Sequence, residues 1–204
     1  MIHVMGTVRL GDVVRAFAPQ SSDRVTIVGI DGPSGSGKSS LARRLVNRTD
    51  ATLVEIDDFV SWADFSGWWP RFTDQVVQPL LRGEDAHYQV RDWQHDPHGS
   101  SLGGWKTAPW TPLVIFDGVT STRRAVSDLL AYRIWVEAPE DIRLARGIKR
   151  DGEVARHLWL AWMQEEQIFF TKDGTRERAD LLVNGAASSG VVIDEDVIQT
   201  LGQS

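Results

Sequence analysis

Five short runs of mainly apolar residues recur along the chain, and helix-like segments separate most of them. The runs lie at 25–30, 52–56, 112–116, 132–136 and 181–183. Short continuous runs that are rich in Val, Ile and Leu are typical of strands buried on both faces. Because strands that alternate with helices favour a parallel sheet, the pattern predicts an α/β fold with a five-stranded parallel sheet and helices on both faces.

Residues 60–112 interrupt this alternation. Within them, segment 73–83 has a helical apolar pattern, in which Pro79 must lie in a first turn or produce a kink and Gly83 is a stop signal. Segment 95–112 is rich in Gly, Pro and Ser and predicts a loop. Because this stretch joins the second and third strands at the ligand end of the sheet, we expect it to be a substrate-binding insertion.

The chain has 204 residues and 42% apolar content, which predicts a single domain over 1–204. A formal net charge of −6 and the lack of a basic run argue against a nucleic-acid or membrane-surface partner. No stretch is apolar enough to span a bilayer, the first residues lack a secretory pattern, and the absence of cysteine excludes disulfides and thiolate metal sites. We expect a cytoplasmic protein with a small-molecule partner; its oligomeric state stays open.

The segment "GIDGPSGSGKSS", residues 29–40, follows the first predicted strand and opens an amphipathic helix. Its glycines let backbone N–H groups approach a ligand, and a helix N-terminus favours an anion. The spacing fits the P-loop pattern G-x-x-x-x-G-K-[ST], so we expect the chain to bind a nucleoside triphosphate. The predicted phosphate-binding residues are Gly32, Pro33, Ser34, Gly35, Ser36, Gly37, Lys38, Ser39 and Ser40.

Acidic residues end two further predicted strands. A P-loop enzyme needs a carboxylate at the position of Asp117 to hold Mg²⁺, to which Ser39 would add a hydroxyl. A kinase that phosphorylates an alcohol also needs a carboxylate near the hydroxyl, and Asp57 and Asp58 are candidates. Because adjacent side chains of extended backbone point to opposite sides, we expect only one of this pair to face the site. The alternative is that these acids cap turns or helices.

Segment 139–170 begins as a helix at Pro139 and carries Arg143, Arg146 and Arg150 on one face. We interpret it as a lid whose guanidinium groups stabilise the transferred phosphate, with a solvated helix face as the alternative. Six of the nine tryptophans fall between residues 60 and 110, where they would build either a core or a pocket for a flat substrate. The spacing of a nearby acid and histidine cluster matches no strong metal pattern: Asp92, His95, Asp96 and His98.

From about residue 22 to 186, these motifs resemble the uridine kinase and phosphoribulokinase group of P-loop kinases. The P-loop is similar to that of the group, and "IDDF" resembles its Asp-Ser-Phe-Tyr segment, which implies that Asp57 is the catalytic base. "RLARGIKRDGE" is similar to the lid motif, and "RADLLVNGA" to the late strand motif near the adenine. "YQVRDW" stands where the group contacts a nucleoside. The second lid arginine of the group is replaced by Gly147, its later Arg-Gly-Arg is reduced to Arg156 and His157, and Asp117 stands where a Glu is common.

The resemblance implies an ATP- and Mg²⁺-dependent kinase with an alcohol acceptor, a nucleoside being the first choice. Lys38, Arg146 and Arg150 would act in catalysis beside Asp57. The implied acceptor contacts are Asp58, Tyr88, Arg91, Asp92 and Trp93. A sugar, vitamin or antibiotic hydroxyl is the alternative acceptor, and a non-catalytic ATP-binding regulator is the second alternative. A regulatory GTPase is disfavoured, because "TKDG" puts Gly174 where the guanine motif needs an aspartate.

Overall fold

The computed structural model describes residues 4–19, 21–186 and 196–202, apart from the side chains of Val4 and Met5. Most strands coincide with the apolar runs of the sequence. The nine strands are β1 (Val4–Arg9), β2 (Thr26–Asp31), β3 (Thr52–Glu55), β4 (Ala86–Arg91), β5 (Leu102–Ala108), β6 (Leu113–Asp117), β7 (Leu130–Glu137), β8 (Leu181–Asn184) and β9 (Val197–Leu201).

Six α-helical segments connect or follow these strands: α1 (Leu10–Ala16), α2 (Lys38–Thr49), α3 (Trp69–Phe72), α4 (Gln78–Leu81), α5 (Glu140–Asp151) and α6 (Arg156–Asp173). A π-helical turn, Thr73–Val77, joins α3 to α4. Short 3₁₀ turns lie at Ile56–Asp58, Arg124–Leu129, Glu153–Ala155 and Arg176–Arg178. Within the described residues, no helix is both long and apolar enough to cross a membrane.

The main sheet has seven strands in the order β1-β9-β8-β7-β2-β6-β3. The five from β8 to β3 are parallel, as predicted. The predicted number of strands is wrong, because β9 and β1 extend one edge in antiparallel orientation. These two strands, "VIQTL" and "VMGTVR", mix apolar with polar residues, so they lack the continuous apolar run that marks the central strands.

The central strands are buried on both faces, which explains their apolar runs. Ile27 and Phe116 pack with the helical segment 69–81 on one face of the sheet. Val28 and Ile115 pack with α1 and α2 on the other. Strand β2 lies between β6 and β7, so its carboxyl end places the P-loop at the centre of the sheet edge.

Part of the insertion differs from the sequence prediction. The predicted loop over 95–112 is wrong, because β5 lies within it and pairs with β4 as a separate antiparallel hairpin. The glycines and exposed polar residues of β5 hide its strand character, which depends on pairing with β4. Pro79 follows the π-helical turn, where its missing N–H removes a helical hydrogen bond, and Gly83 ends the segment with φ of +79°.

Candidate active site

The P-loop connects β2 to α2 in a conformation that only glycine adopts easily. Gly32 has φ of +134° and Gly35 has φ of +76°. A Cβ at Gly32 would overlap the carbonyl oxygen of Val136, and one at Gly35 would lie 2.7 Å from that of Arg143. The loop is therefore packed closely against the end of β7 and against α5, with its backbone fixed before any ligand arrives.

Lys38 is the first residue of α2 and the buried cation of the loop. Its side chain is almost fully enclosed, and its Nζ donates a hydrogen bond to the carbonyl of Pro33 at 3.0 Å. Burial raises the pKa of both Asp31 and Asp117, and the charge of Lys38 opposes this rise at each, so its ammonium interacts with two carboxylates. Within the described residues, the buried hydroxyl of Ser36 has no hydrogen-bond partner. The loop thus contains a buried cation and an unpaired buried hydroxyl close to where phosphate is expected.

Asp117 ends β6, directly beside β2. The residue is buried, and one carboxylate oxygen has no hydrogen-bond partner among the described residues. Burial raises its pKa to about 6, against the opposing effects of Lys38 and of a hydrogen bond with Ser39. A buried, unpaired carboxylate oxygen beside a hydroxyl suits a hard divalent cation, so this pair fits Mg²⁺.

Asp57 and Asp58 lie in a 3₁₀ turn at the end of β3, and both line the same cavity. The 3₁₀ turn replaces the extended backbone that the sequence reasoning assumed, and the expectation that only one of the two faces the acceptor stays a prediction. Their environments differ. Asp58 accepts hydrogen bonds from Tyr88 Oη at 3.1 Å and Lys106 Nζ at 2.8 Å. The exposed Asp57 carboxylate accepts no hydrogen bond from the residues that the structure describes, so it is free to receive a proton.

The three arginines of α5 have different partners, and two of them, Arg143 and Arg146, contact the P-loop. Arg143 bonds the carboxylate of Glu166 at 3.2 Å and lies outside the cavity lining. Arg146 donates to the carbonyl of Gly35 at 2.9 Å. Arg150 pairs with Asp151. Since both Arg146 and Arg150 line the cavity, two of the three guanidinium groups of the predicted lid are at hand for phosphate.

Three of the predicted acceptor contacts lie outside the main cavity. Tyr88 is buried and reaches the site only through Asp58. Asp92 accepts a hydrogen bond from the backbone of His95. Arg91 is buried and donates to the carbonyls of the following loop: Asp92, Asp96, Gly99 and Ser101. Arg91 and Asp92 organise the loop itself, and since none of the three residues lines this cavity, their contact with an acceptor stays a prediction. No metal-holding group of three or more His and acidic residues occurs in the described parts of the chain.

Two buried carboxylates that the sequence reasoning missed hold the P-loop in place. Asp31 is fully buried and accepts hydrogen bonds from the backbone of Gly32, Thr120 and Thr122, and burial raises its pKa to about 6. Asp31 directly precedes Gly32 in the P-loop, so the sequence did contain a local signal for its role. Glu166, in the middle of α6, accepts from the backbone N–H of Ser34 at 2.7 Å. No local pattern marks it, since its partner is 132 positions away.

A cavity of about 800 Å³ is lined by the P-loop, by Asp57, Asp58 and Asp117, and by four indoles: Trp62, Trp93, Trp159 and Trp162. The ring of Trp62 lies edge-to-face with those of Trp159 and Trp162, at centroid distances of 6.0 and 5.4 Å. Trp93 donates its Nε1–H to the carbonyl of Asp57 at 2.8 Å. The lining therefore combines phosphate-binding groups with indoles, and we call these two sets of residues the phosphate-binding half and the aromatic half of the cavity.

Gly147 makes room for one of these indoles. A Cβ at this position would overlap the ring of Trp159, which is almost completely buried. We expect Gly147→Ala to lower the free energy of unfolding by about 1–3 kcal/mol in urea denaturation, because the close packing cannot accept another carbon. The matched control is Gly104→Ala, where a Cβ meets open space. A more stable Gly147→Ala, as helix propensity alone predicts, would contradict this packing argument.

A glycine-rich loop at the centre of a parallel sheet, with a buried acid ending the neighbouring strand, defines a P-loop nucleotide-binding protein. Residues 28–169 match a family model described as an AAA domain, and the chain belongs to that family.

Relatives found by sequence make the assignment narrower. The chain is 24% identical to a uridine kinase from Streptococcus gordonii over 196 residues, which cover 84% of this chain and 92% of that protein. It is also 24% identical to a uridine kinase from Halobacterium salinarum over 199 residues, covering 84% and 86%. The chain is a uridine kinase-like P-loop kinase, and hence a phosphotransferase.

Solved structures share the fold. A possible uridine kinase from Bacillus stearothermophilus aligns with a TM-score of 0.61 at 17% identity, covering 85% of this chain and 96% of that one. A putative fructose transport system kinase from a Silicibacter species aligns with a TM-score of 0.58 at 18% identity, covering 78% and 92%. At these identities the structural likeness establishes the P-loop α/β fold.

Proposed function

We propose that this protein transfers the γ-phosphoryl group of MgATP to a hydroxyl of a small molecule, with a nucleoside as the leading acceptor. The observation that carries the proposal is the single cavity in which the P-loop, Asp117 and the free carboxylate of Asp57 meet. A phosphate-binding loop alone would serve binding or hydrolysis. A free carboxylate beside it supplies what transfer to an alcohol needs.

The P-loop residues are proposed to bind the triphosphate. Backbone N–H groups over 32–39 and the Lys38 ammonium would hold the β- and γ-phosphates. Arg146 and Arg150 would exchange their present contacts for phosphate oxygens and stabilise the charge that moves during transfer. Ser39 and Asp117 would hold Mg²⁺, which, when bound, neutralises charge on the phosphates.

Asp57 is proposed as the base. Its carboxylate takes the proton of the acceptor hydroxyl as the acceptor oxygen bonds to the γ-phosphorus, and the bond from that phosphorus to the ADP oxygen breaks. Asp58 cannot take this role without giving up its bonds to Tyr88 and Lys106. It is better placed to hold the acceptor, or the turn that carries Asp57.

The proposed domain organisation follows the division between phosphate binding and acceptor binding. We propose one kinase domain over 1–204, in which 60–112 forms the acceptor side and 139–170 forms a lid. The insertion contributes Trp62 and Trp93 to the cavity, and the lid region contributes its arginines together with two further indoles. Both segments thus reach the cavity from outside the central sheet, as substrate-binding elements of such an enzyme would.

The test is acceptor-dependent release of ADP from MgATP across nucleosides, sugars and vitamins, with Asp57→Asn as the inactive control. Saturable release with uridine or another nucleoside, together with a phosphorylated product in mass spectrometry, is the expected result. Release of ADP only with a sugar or vitamin would change the proposed acceptor, but it would still support a kinase activity. ATP hydrolysis that no alcohol stimulates would argue against the proposal.

The raised pKa of Asp117 gives a pH dependence for metal binding. Because only the ionised carboxylate binds Mg²⁺, we expect the affinity for Mg²⁺ in the presence of a non-hydrolysable ATP analogue to fall ~10-fold per unit below about pH 6. An unperturbed aspartate would keep its affinity to about pH 4. Calorimetric titrations from about pH 5 to about pH 8 measure the dependence, and Asp117→Asn should remove the part of it that exceeds the titration of the analogue's own phosphates. A flat profile in the wild type would contradict the assignment.

A further inference from the structure

We infer that the aromatic half of the cavity selects an uncharged alcohol by the apolar surface of its body and excludes anionic acceptors. This deepens the proposed function, on which it rests, by naming the chemical class that the acceptor side recognises. The affinity for an acceptor would depend on the apolar area and the charge of that acceptor more than on the hydrogen-bonding groups of a particular nucleobase.

The indoles of the cavity offer a ligand mainly carbon surface. Three of the four N–H groups are already bonded within the protein: Trp93 to Asp57, Trp159 to Asp151, and Trp162 to Ser34 and Glu166. An indole N–H that already donates a hydrogen bond cannot donate to a carbonyl of a nucleobase without breaking that bond. The faces and edges that remain attract flat or apolar groups, which they hold by burial and by aromatic stacking.

The mouth of the cavity exposes apolar side chains from two separate segments. Trp93 is 39% exposed and belongs to the insertion, while Val154 is 83% exposed and follows the lid helix. Both line the cavity. Val60 and Leu158 extend the same apolar lining inward. A ligand with an apolar body would remove this surface from water, whereas a bare sugar would leave much of it exposed.

The charges of the cavity are divided between its two halves. Near the acceptor side lie three carboxylates: Glu55, Asp57 and Asp58. The lysine beside them, Lys106, is paired with Asp58. Of the lysine and arginine side chains that line the cavity, Lys38 and Arg146 contact the backbone of the P-loop, where the triphosphate is expected, and Arg150 is paired with Asp151. A phosphate or carboxylate on the acceptor would therefore face carboxylates, and it could gain a cation only by breaking a contact that exists within the protein, which opposes its binding.

The experiment compares four probes that share the primary hydroxyl of a ribofuranose ring: methyl β-D-ribofuranoside, phenyl β-D-ribofuranoside, uridine and uridine 3′-phosphate. Binding is measured by calorimetry with Mg²⁺ and a non-hydrolysable ATP analogue. We expect phenyl riboside to bind at least as tightly as uridine, and both to bind about tenfold or more tighter than methyl riboside and than uridine 3′-phosphate. Equal binding of methyl riboside and phenyl riboside, full binding of the 3′-phosphate, or no binding by any probe would each overturn the inference.

Variants connect the preference to the indoles. Trp62→Leu and Trp93→Leu should each weaken phenyl riboside at least about fivefold while the ATP analogue still binds with wild-type affinity, which also reports an intact fold. The control is Trp105→Leu, an exposed indole that stacks on His87 outside the cavity and should change neither affinity. Unchanged binding of phenyl riboside in both cavity variants would contradict the inference that the aromatic half holds the acceptor. If the probes bind as expected but no alcohol stimulates ADP release, the kinase proposal fails and the selectivity stands.

Discussion

Asp57→Asn is expected to slow phosphoryl transfer by about 10²–10⁴-fold while MgATP binds with nearly wild-type affinity. Asparagine keeps the shape of the side chain and its place in the 3₁₀ turn, but it cannot accept the proton of the acceptor hydroxyl. The carboxylate accepts no hydrogen bond from another described residue, so the substitution removes its charge and the electrostatic interaction of that charge with Arg150. Rapid-quench measurement of product with saturating acceptor, together with calorimetry of MgATP binding, separates the two effects.

Asp58→Asn is the matched control for this substitution, one position along the same turn. Its loss weakens the bonds to Tyr88 and Lys106, which tie the turn to the β4–β5 hairpin. We therefore expect a higher KM for the acceptor with a smaller change in kcat. If Asp58→Asn abolishes transfer and Asp57→Asn does not, the roles of the two carboxylates are reversed.

Lys38→Ala is expected to lower kcat/KM for MgATP by about 10³-fold or more. The substitution removes the ammonium that would reach the β- and γ-phosphates as negative charge shifts between them. It also leaves Asp31 and Asp117 without the cation that opposes the effect of burial, so the pKa of each should rise further. Steady-state kinetics give the catalytic loss, and binding of a fluorescent ATP analogue gives the affinity.

The exposed Lys149, on the same chain but outside the cavity, provides the control Lys149→Ala. This variant should behave as the wild type in both measurements. Thermal unfolding of Lys38→Ala establishes that it remains folded, and Lys38→Arg tests whether a cation of another shape restores binding without restoring the rate. Near-normal turnover in a folded Lys38→Ala would remove the P-loop lysine from the mechanism.

The parts of this protein that were predictable are those whose signals are local. The central parallel strands are buried on both faces, so their apolar runs are visible in three to six consecutive residues. The P-loop requires glycines and a lysine at fixed spacing, because backbone N–H groups must approach a phosphate. Strands β1, β4, β5 and β9 were missed, since their residues become strands by pairing with another strand and their composition alone favours no particular structure.

The roles of polar residues in the insertion depended on tertiary contacts. Arg91 and Asp92 suit acceptor recognition by residue type, yet the first folds onto the carbonyls of its own loop and the second accepts from the following backbone. Charged side chains that are buried must find hydrogen-bond partners, and a nearby loop supplies them as well as a ligand does. Sequence shows which groups can bind, whereas packing decides what they bind.

The sequence by itself determined the parallel core, the phosphate-binding loop and the acids that end β3 and β6, because each depends on residues within a short stretch of chain. Only the tertiary structure decided that Asp57 is free while Asp58 is paired, and that Glu166 holds the P-loop from far along the chain. The tertiary structure also decided that indoles from the insertion and from α6 line the same cavity. The physical reason is that hydrogen bonds and ring contacts form within a few ångströms, and only folding brings such separated positions to that distance.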